Sequence, residues 1–226
     1  MSSRRAVRSG SAPVPVPVPL AETSVARAVL DRVLALLLLV LASPLVLGVA
    51  VAIKVTSPGP VLFRQRRNGR GNTVFEIYKF RTMADDPAHD PADDPAHDPA
   101  MTQARRDDPR VTRLGAFLRR HYIDEIPQLL NVLAGSMSLV GPRPHAVQHN
   151  RYYSVLIDGY DARHAVRPGI TGWAQVNGLH GETADPEMMA RRVEYDLHYI
   201  RHRSLMLDLR ILLRSALVWR IPQRAP

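Results

Sequence analysis

The strongest hydrophobic feature of the chain is a block rather than a period. From Leu34 to Ile53, 20 consecutive residues carry no charge. As a helix they reach about 30 Å, the thickness of one bilayer core. A secretory leader fits poorly, because its apolar run is shorter and ends in a small-residue cleavage site. Ser43-Pro44 falls mid-block, where a proline deletes a backbone hydrogen bond and crowds the preceding turn. Both flanks are basic: Arg4, Arg5, Arg8, Arg27 and Arg32 precede the block, and Lys54, Arg64, Arg66, Arg67 and Arg70 follow it. Cationic loops stay cytoplasmic. The pattern predicts a helix–break–helix over 28–56 that enters and leaves on one face, broken at Ser43 and Pro44. A continuous span and a buried core helix are the alternatives.

Shorter patterns follow. Val61 to Met83 alternates like two strands around "RRNGRGN", with Asn68-Gly69 as the turn signal. Helical character is expected over Asp124–Leu133, with Pro127 in the first turn. Further helices are expected near Gln148–Ile157 and over Glu187–Arg203. "VRPGITGWAQVNGLHG" is turn-rich. "SLMLDLRILLRSALVW" (Ser204–Trp219) reads as a basic apolar helix suited to a membrane surface, or as a core helix with exposed arginines. Residues 1–27, with "PVPVPVP", cannot bury a core and read as a disordered or polyproline-like tail. Residues 221–226 form a second tail. The expected fold is helix-rich α+β: a re-entrant membrane helix, then a small cytosolic catalytic domain (57–220) with a β-hairpin and membrane-surface amphipathic helices.

Charge sharpens this picture. Thirty Lys and Arg face 21 Asp and Glu among 226 residues, a net of +9. The repeat "DDPAHDPADDPAHDPA", within a flexible insert over 84–104, holds six of the aspartates. The rest of the chain therefore stands at +15, with 30 cationic against 15 acidic side chains. Such a balance favours phosphates, nucleic acid or an anionic membrane face. His89 and His97 in the insert are metal-ligand types beside aspartates, although a solvated loop has the same composition. The absence of cysteine excludes disulfides and thiolate metal sites.

Within that basic background, "HYIDEIPQLLNVLAGSMSLVGPRPH" sets Asp124 beside Glu125. Neighbours on a helix point about 100° apart, so the two acids are suited to different roles. The sequence supplies cations on either side: Lys79, Arg81, Arg110, Arg113, Arg119 and Arg143. Phosphoryl transfer needs such a set, because Arg, Lys and Mg²⁺ hold the charge spread over phosphate oxygens. A carboxylate can serve as the nucleophile, and its neighbour as metal ligand or base. Each residue also has an ordinary role: helix cap, dipole partner or solvated arginine. No P-loop, Ser–His–Asp order or H-E-x-x-H motif is present.

Four blocks, "SPGPVLFRQRRNGRGNTVFEIYKFRTM", "RVTRLGAFLRRHYIDEIPQLLNVLAGSMSLVGPRP", "RPGITGWAQVNG" and "YDLHYIRHRSLMLDLRILLRS", together resemble the bacterial sugar transferases. These are polyprenyl-phosphate hexose-1-phosphate transferases, or monotopic phosphoglycosyl transferases. The similarity runs from about Leu30 to Leu217. It implies transfer of a sugar-1-phosphate from a UDP-sugar to polyprenyl (undecaprenyl) phosphate, release of UMP and a need for Mg²⁺. It implies Asp124 as covalent nucleophile, Glu125 beside it at the metal, and Arg119 at a phosphate. It also places Arg143 near the nucleotide, within the motif Pro142-Arg143-Pro144, and the membrane-helix break at Ser43-Pro44. It puts the catalytic domain on the cytoplasmic face of the inner membrane, to begin exopolysaccharide, lipopolysaccharide or other glycan synthesis. A homo-oligomer is compatible; no nucleic-acid partner is expected. The chain departs from the family in Tyr122-Ile123, where Ser/Thr-Leu is usual, and in the long Asp-Pro-His repeat. It is expected to be the catalytic unit alone, without the extra N-terminal spans of longer relatives. A membrane-tethered nucleic-acid binder, a non-catalytic scaffold and direct attack by the lipid phosphate are the competing readings.

Overall fold

The computed structural model describes residues 24–84, 108, 110–179, 181 and 185–218. The expected N-terminal tail up to residue 23, the body of the Asp-Pro-His insert with His89 and His97, Trp219 at the end of the expected last helix, and the C-terminal tail 221–226 lie outside them.

Helix α1 (Val25–Thr56) is helical without interruption, and this corrects the expected break. Pro44 cannot donate to the carbonyl of Val40, one turn back. The Ser43 hydroxyl donates to that carbonyl at 2.7 Å instead, so the freed acceptor is satisfied and the helix continues. The helix also starts early enough to take in Arg27, which was expected in the tail.

Strands β1 (Leu62–Asn68) and β2 (Val74–Phe80) form the predicted antiparallel hairpin, in register from Leu62 opposite Phe80 to Asn68 opposite Val74. Asn68-Gly69 is not the centre of its turn. Asn68 is still paired, and the left-handed residues are Gly71 (φ 62°) and Asn72 (φ 64°). Helix α2 (Arg113–Arg120), not anticipated from the sequence, is capped by the Thr112 hydroxyl, which accepts from the Gly115 N–H at 2.9 Å. A 3₁₀ turn, Ile123–Glu125, holds both acids. Helix α3 (Gln128–Ala134) begins only after it, so the predicted helix is shorter and excludes them.

Strand β3 (Ser138–Val140) leads into Gly141-Pro142-Arg143-Pro144. Helix α4 (Val147–Leu156) and a second 3₁₀ turn (Tyr160–Ala165) follow. Strand β4 (Gly169–Thr171) pairs parallel to β3, Ser138 with Gly169 and Val140 with Thr171. Helices α5 (Trp173–Val176), α6 (Pro186–His202) and α7 (Leu205–Val218) complete the described chain. The long helices α4, α6 and α7 lie close to their expected positions. Among the described residues the fold is helix-rich α+β with two small two-stranded sheets.

Three apolar clusters form the core, and α1 enters two of them. Ala35 packs with Ile77, Val132, Leu139, Tyr199 and Ile211. Val49 and Ile53 pack with Phe80 and Leu118, with Ile123 at the margin. Tyr153, Tyr160, Met189 and Val193 form the third. Polar ties fix the N-terminal half of α1. Arg27 pairs with Asp208 at 2.7 Å. Asp31 accepts from the Ser138 hydroxyl at 2.6 Å and the Leu139 N–H at 3.2 Å. The opposite face of α1 is apolar and exposed, including Leu37, Val40, Leu41, Leu47 and Val51. By length and composition α1 is able to cross a membrane. Helix α7 buries Asp208, Ile211 and Ser215 and exposes Leu205, Leu209, Leu213 and Leu217, a stripe at four-residue spacing.

Helix α2 packs through a glycine against the backbone that follows β2. A Cβ on Gly115 would lie 1.9 Å from the Thr82 carbonyl oxygen, a backbone atom that cannot swing away. Gly115→Ala should therefore displace α2 and cost about 2 kcal/mol or more. Thermal melts of the detergent-solubilised protein check this; an unchanged melting temperature would contradict the packing described.

Candidate active site

The acid pair sits in a crowded turn for a reason local to the chain. Tyr122 is left-handed (φ 56°), a conformation costing a non-glycine residue roughly 1–2 kcal/mol. It reverses the chain out of α2 and turns both acids inward, leaving Asp124 8% and Glu125 6% exposed. Ile123, one residue earlier, anchors the turn on the cluster that contains Val49 and Ile53 of α1.

The two carboxylates have different surroundings. Glu125 is clamped. Lys79, from β2, donates to Oε1 at 2.7 Å. Arg143 donates to Oε1 at 2.5 Å and to Oε2 at 3.2 Å. Burial works to raise the Glu125 pKa, but the charges of Arg143 and Lys79 outweigh it and hold the carboxyl well below its usual range. The Arg143 guanidinium is stabilised in turn, chiefly by Glu125. Asp124 has no hydrogen bond or ion pair with a described residue. Burial, and then the neighbouring Glu125 charge, push its pKa up to about 6, against the pull of Lys79, Arg119 and Arg143. One acid is thus a fixed anion inside an ion-pair cluster. The other is a bare carboxylate that titrates close to neutrality.

Three of the predicted cations converge here: Lys79, Arg119 and Arg143. Arg119 is steadied by donation from Nε to the Thr82 hydroxyl at 2.9 Å. Arg143 is carried by a short loop whose glycines permit close strand approach: the Gly141 N–H reaches the Thr171 carbonyl at 2.9 Å, and the Gly169 N–H reaches the Pro142 carbonyl at 3.0 Å. A Cβ on Gly169 would sit 2.1 Å from the Gly141 nitrogen. Pro142 and Pro144 are buried beside Arg143 and shape this loop.

The other candidates are engaged outside the acid pair. Arg81 turns its guanidinium to the end of α1, donating to the Ser57 carbonyl and hydroxyl, each at 2.9 Å, and to the Pro58 carbonyl. Arg110 grips Asp108 at 2.7 Å. Arg113 is exposed at the start of α2. Ser43 and Pro44 are in mid-α1. Arg67, which sequence reasoning did not single out as a site residue, is half-buried and donates to the Pro144 carbonyl at 3.4 Å. Burial, then the like charge of Arg143, lower its pKa to about 10. Its signal in the sequence was only one arginine among several in "RQRRNGR".

No group of three or more metal-ligand side chains occurs among the described residues. The oxygens available to a hard divalent cation are the Asp124 carboxylate and Oε2 of Glu125, whose single contact is the longer one to Arg143. One or two carboxylates completed by substrate phosphates is the usual environment of Mg²⁺, so this donor set fits that ion.

Comparison with known proteins bears on this arrangement. A family model described as bacterial sugar transferase matches residues 22–220. The chain is 52% identical over 192 residues to a UDP-glucose:undecaprenyl-phosphate glucose-1-phosphate transferase of Xanthomonas campestris pv. campestris, covering 85% of this chain and 38% of that protein. It is 52% identical over 190 residues to a protein of the same name from Caulobacter vibrioides, covering 83% of this chain and 67% of the relative. It is 44% identical over 186 residues to a UDP-N-acetylgalactosamine-undecaprenyl-phosphate N-acetylgalactosaminephosphotransferase of Aeromonas hydrophila, covering 82% and 41%. The chain thus spans about two fifths of the length of two of these relatives and two thirds of the third.

The raised pKa of Asp124 gives a stability prediction. The folded carboxyl keeps its proton up to about pH 6, whereas the ordinary value is 3.8, so ionised Asp124 costs stability above pH 6 and the cost vanishes as pH falls below 3.8. In metal-free buffer Asp124→Asn should melt higher than the unmodified protein near pH 8, by about a few degrees, and the gap should close towards about pH 4. A gap independent of pH would contradict burial as its cause.

Proposed function

The chain belongs to the bacterial sugar transferase family, and we propose that it transfers a hexose-1-phosphate from a UDP-sugar to undecaprenyl phosphate, releasing UMP, as the first step of assembling a lipid-linked glycan. One observation carries this reading: a buried carboxylate, Asp124, with no hydrogen-bond partner among the described residues lies among Lys79, Arg119 and Arg143 while its neighbour Glu125 is held through Oε1 by Lys79 and Arg143.

Asp124 attacks the phosphorus that bears the sugar. An Asp–phosphate bond forms, the bond to the nucleoside phosphate breaks, and UMP departs with the bridging oxygen and its electron pair. An oxygen of the acceptor lipid phosphate then attacks the same phosphorus. The bond to Asp124 breaks, and the carboxylate returns as it began. Neither step needs a proton, because nucleophile and leaving group are both anions near neutral pH. What both steps need is cancellation of charge, and that is the task of Lys79, Arg119 and Arg143. Mg²⁺, held by Asp124 and Oε2 of Glu125, would neutralise charge on the donor diphosphate.

The acceptor is a membrane lipid, so we place the site at the cytoplasmic face of the inner membrane, with α1 lying along that face rather than crossing. Support comes from its contacts. Arg27 and Ile53, separated by roughly 39 Å of helix, both meet the same domain. A transverse helix would carry one of them beyond a core about 30 Å thick. The exposed apolar faces of α1 and α7 suit this placement.

Membranes containing the protein, supplied with undecaprenyl phosphate, Mg²⁺ and a panel of UDP-hexoses beginning with UDP-glucose, should release UMP. Release should require lipid and metal, and Asp124→Asn should lower it by about 10³-fold or more. Release that persists in Asp124→Asn would remove this residue from the nucleophile's role. Absence of release with every donor would overturn the reading.

A further inference from the structure

We infer that Arg163 is a positioning residue for this transfer, holding the backbone of Arg143 so that the Arg143 guanidinium meets Glu125. The inference deepens the proposed function and rests on it. Arg163 lies in the 3₁₀ turn Tyr160–Ala165 and is 2% exposed. Its Nη2 donates to the Arg143 carbonyl at 2.8 Å and to Oδ2 of Asp196, on α6, at 2.7 Å. Its Nε donates to the same Asp196 oxygen at 3.1 Å. Its Nη1 lies 2.6 Å from Nδ1 of His145, two residues beyond Arg143. A guanidinium only donates, so His145 Nδ1 is an acceptor and the ring is neutral; the Tyr160 hydroxyl meets the same nitrogen at 2.6 Å.

The loop that carries Arg143 explains why such a tether is needed. Pro142 and Pro144 have no N–H, so this stretch is held largely through its carbonyls. The Gly169 N–H takes that of Pro142, Arg67 takes that of Pro144, and Arg163 takes that of Arg143 itself. An ion pair as deeply buried as Arg163–Asp196 contributes little net stability compared with apolar side chains of the same volume. What apolar side chains cannot supply is a planar fork that grips a carboxylate, a carbonyl and an imidazole at once. Lysine brings the charge without the fork.

The test uses the full-length protein and two variants: Arg163→Lys, and Arg163→Met combined with Asp196→Leu, which removes both buried charges together and stands in if the lysine variant does not fold. Hydrogen–deuterium exchange should quicken in peptides covering 138–146 and stay unchanged in α1 and α7. UMP release should fall about 30-fold in the otherwise unmodified protein, and by less than about threefold when the same change is made on the residual rate of Arg143→Ala. Equal losses in both backgrounds, unchanged exchange over 138–146, or exchange raised evenly along the chain would each overturn the inference. If the unmodified protein releases no UMP from any donor, the proposed reaction fails, and exchange over 138–146 alone decides whether Arg163 holds the loop.

Discussion

Two carboxylates on adjacent residues, both buried, repel each other, and the site rests on how that repulsion is resolved. Lys79 and Arg143 bind Glu125 from two sides and fix it as an anion. Asp124 is left bare, raised towards neutrality by burial and by its ionised neighbour. The asymmetry is one of partners rather than residue type. It depends on three segments arriving together: β2 with Lys79, the Pro-Arg-Pro loop with Arg143, and α2 with Arg119. The tight contacts of Gly115 and Gly169 are what allow that approach.

The same constraint ties the chemistry to the apolar helix. α1 is part of the core, supplying Ala35 to one cluster and Val49 and Ile53 to another. Through Ile123 the second cluster reaches the residue next to Asp124. On the proposed reading this has a direct use. A lipid phosphate cannot move far from the bilayer surface, so the nucleophile has to be built at that surface, on a frame whose other face is apolar.

Much of this was legible in the sequence because it is local. The apolar block, the hairpin, the long C-terminal helices and the acid pair each follow from neighbours along the chain, and four motif blocks together pointed to the family. What was missed depends on partners distant in sequence or on hydrogen bonds that propensity does not register. A mid-helix proline predicts a break, but the Ser43 hydroxyl repairs the freed carbonyl. An Asn-Gly pair predicts a two-residue turn, but the left-handed pair falls three residues later. Arg81 and Arg110 looked equivalent to Arg119, yet they serve the end of α1 and Asp108. Arg163 and Asp196 are 33 residues apart and become partners only when α6 packs on the 3₁₀ turn.

The central claim is that Asp124, freed by the clamp on Glu125, forms a covalent bond to the sugar phosphate. The most direct measurement is mass spectrometry of the protein incubated with its UDP-sugar and Mg²⁺ but no lipid acceptor, then quenched and digested. The account predicts a hexose-phosphate adduct on the peptide that contains Asp124, formed together with UMP and lost when undecaprenyl phosphate is added. UMP appearing only when the acceptor is present, with no adduct on that peptide, would contradict it and indicate direct attack by the lipid phosphate.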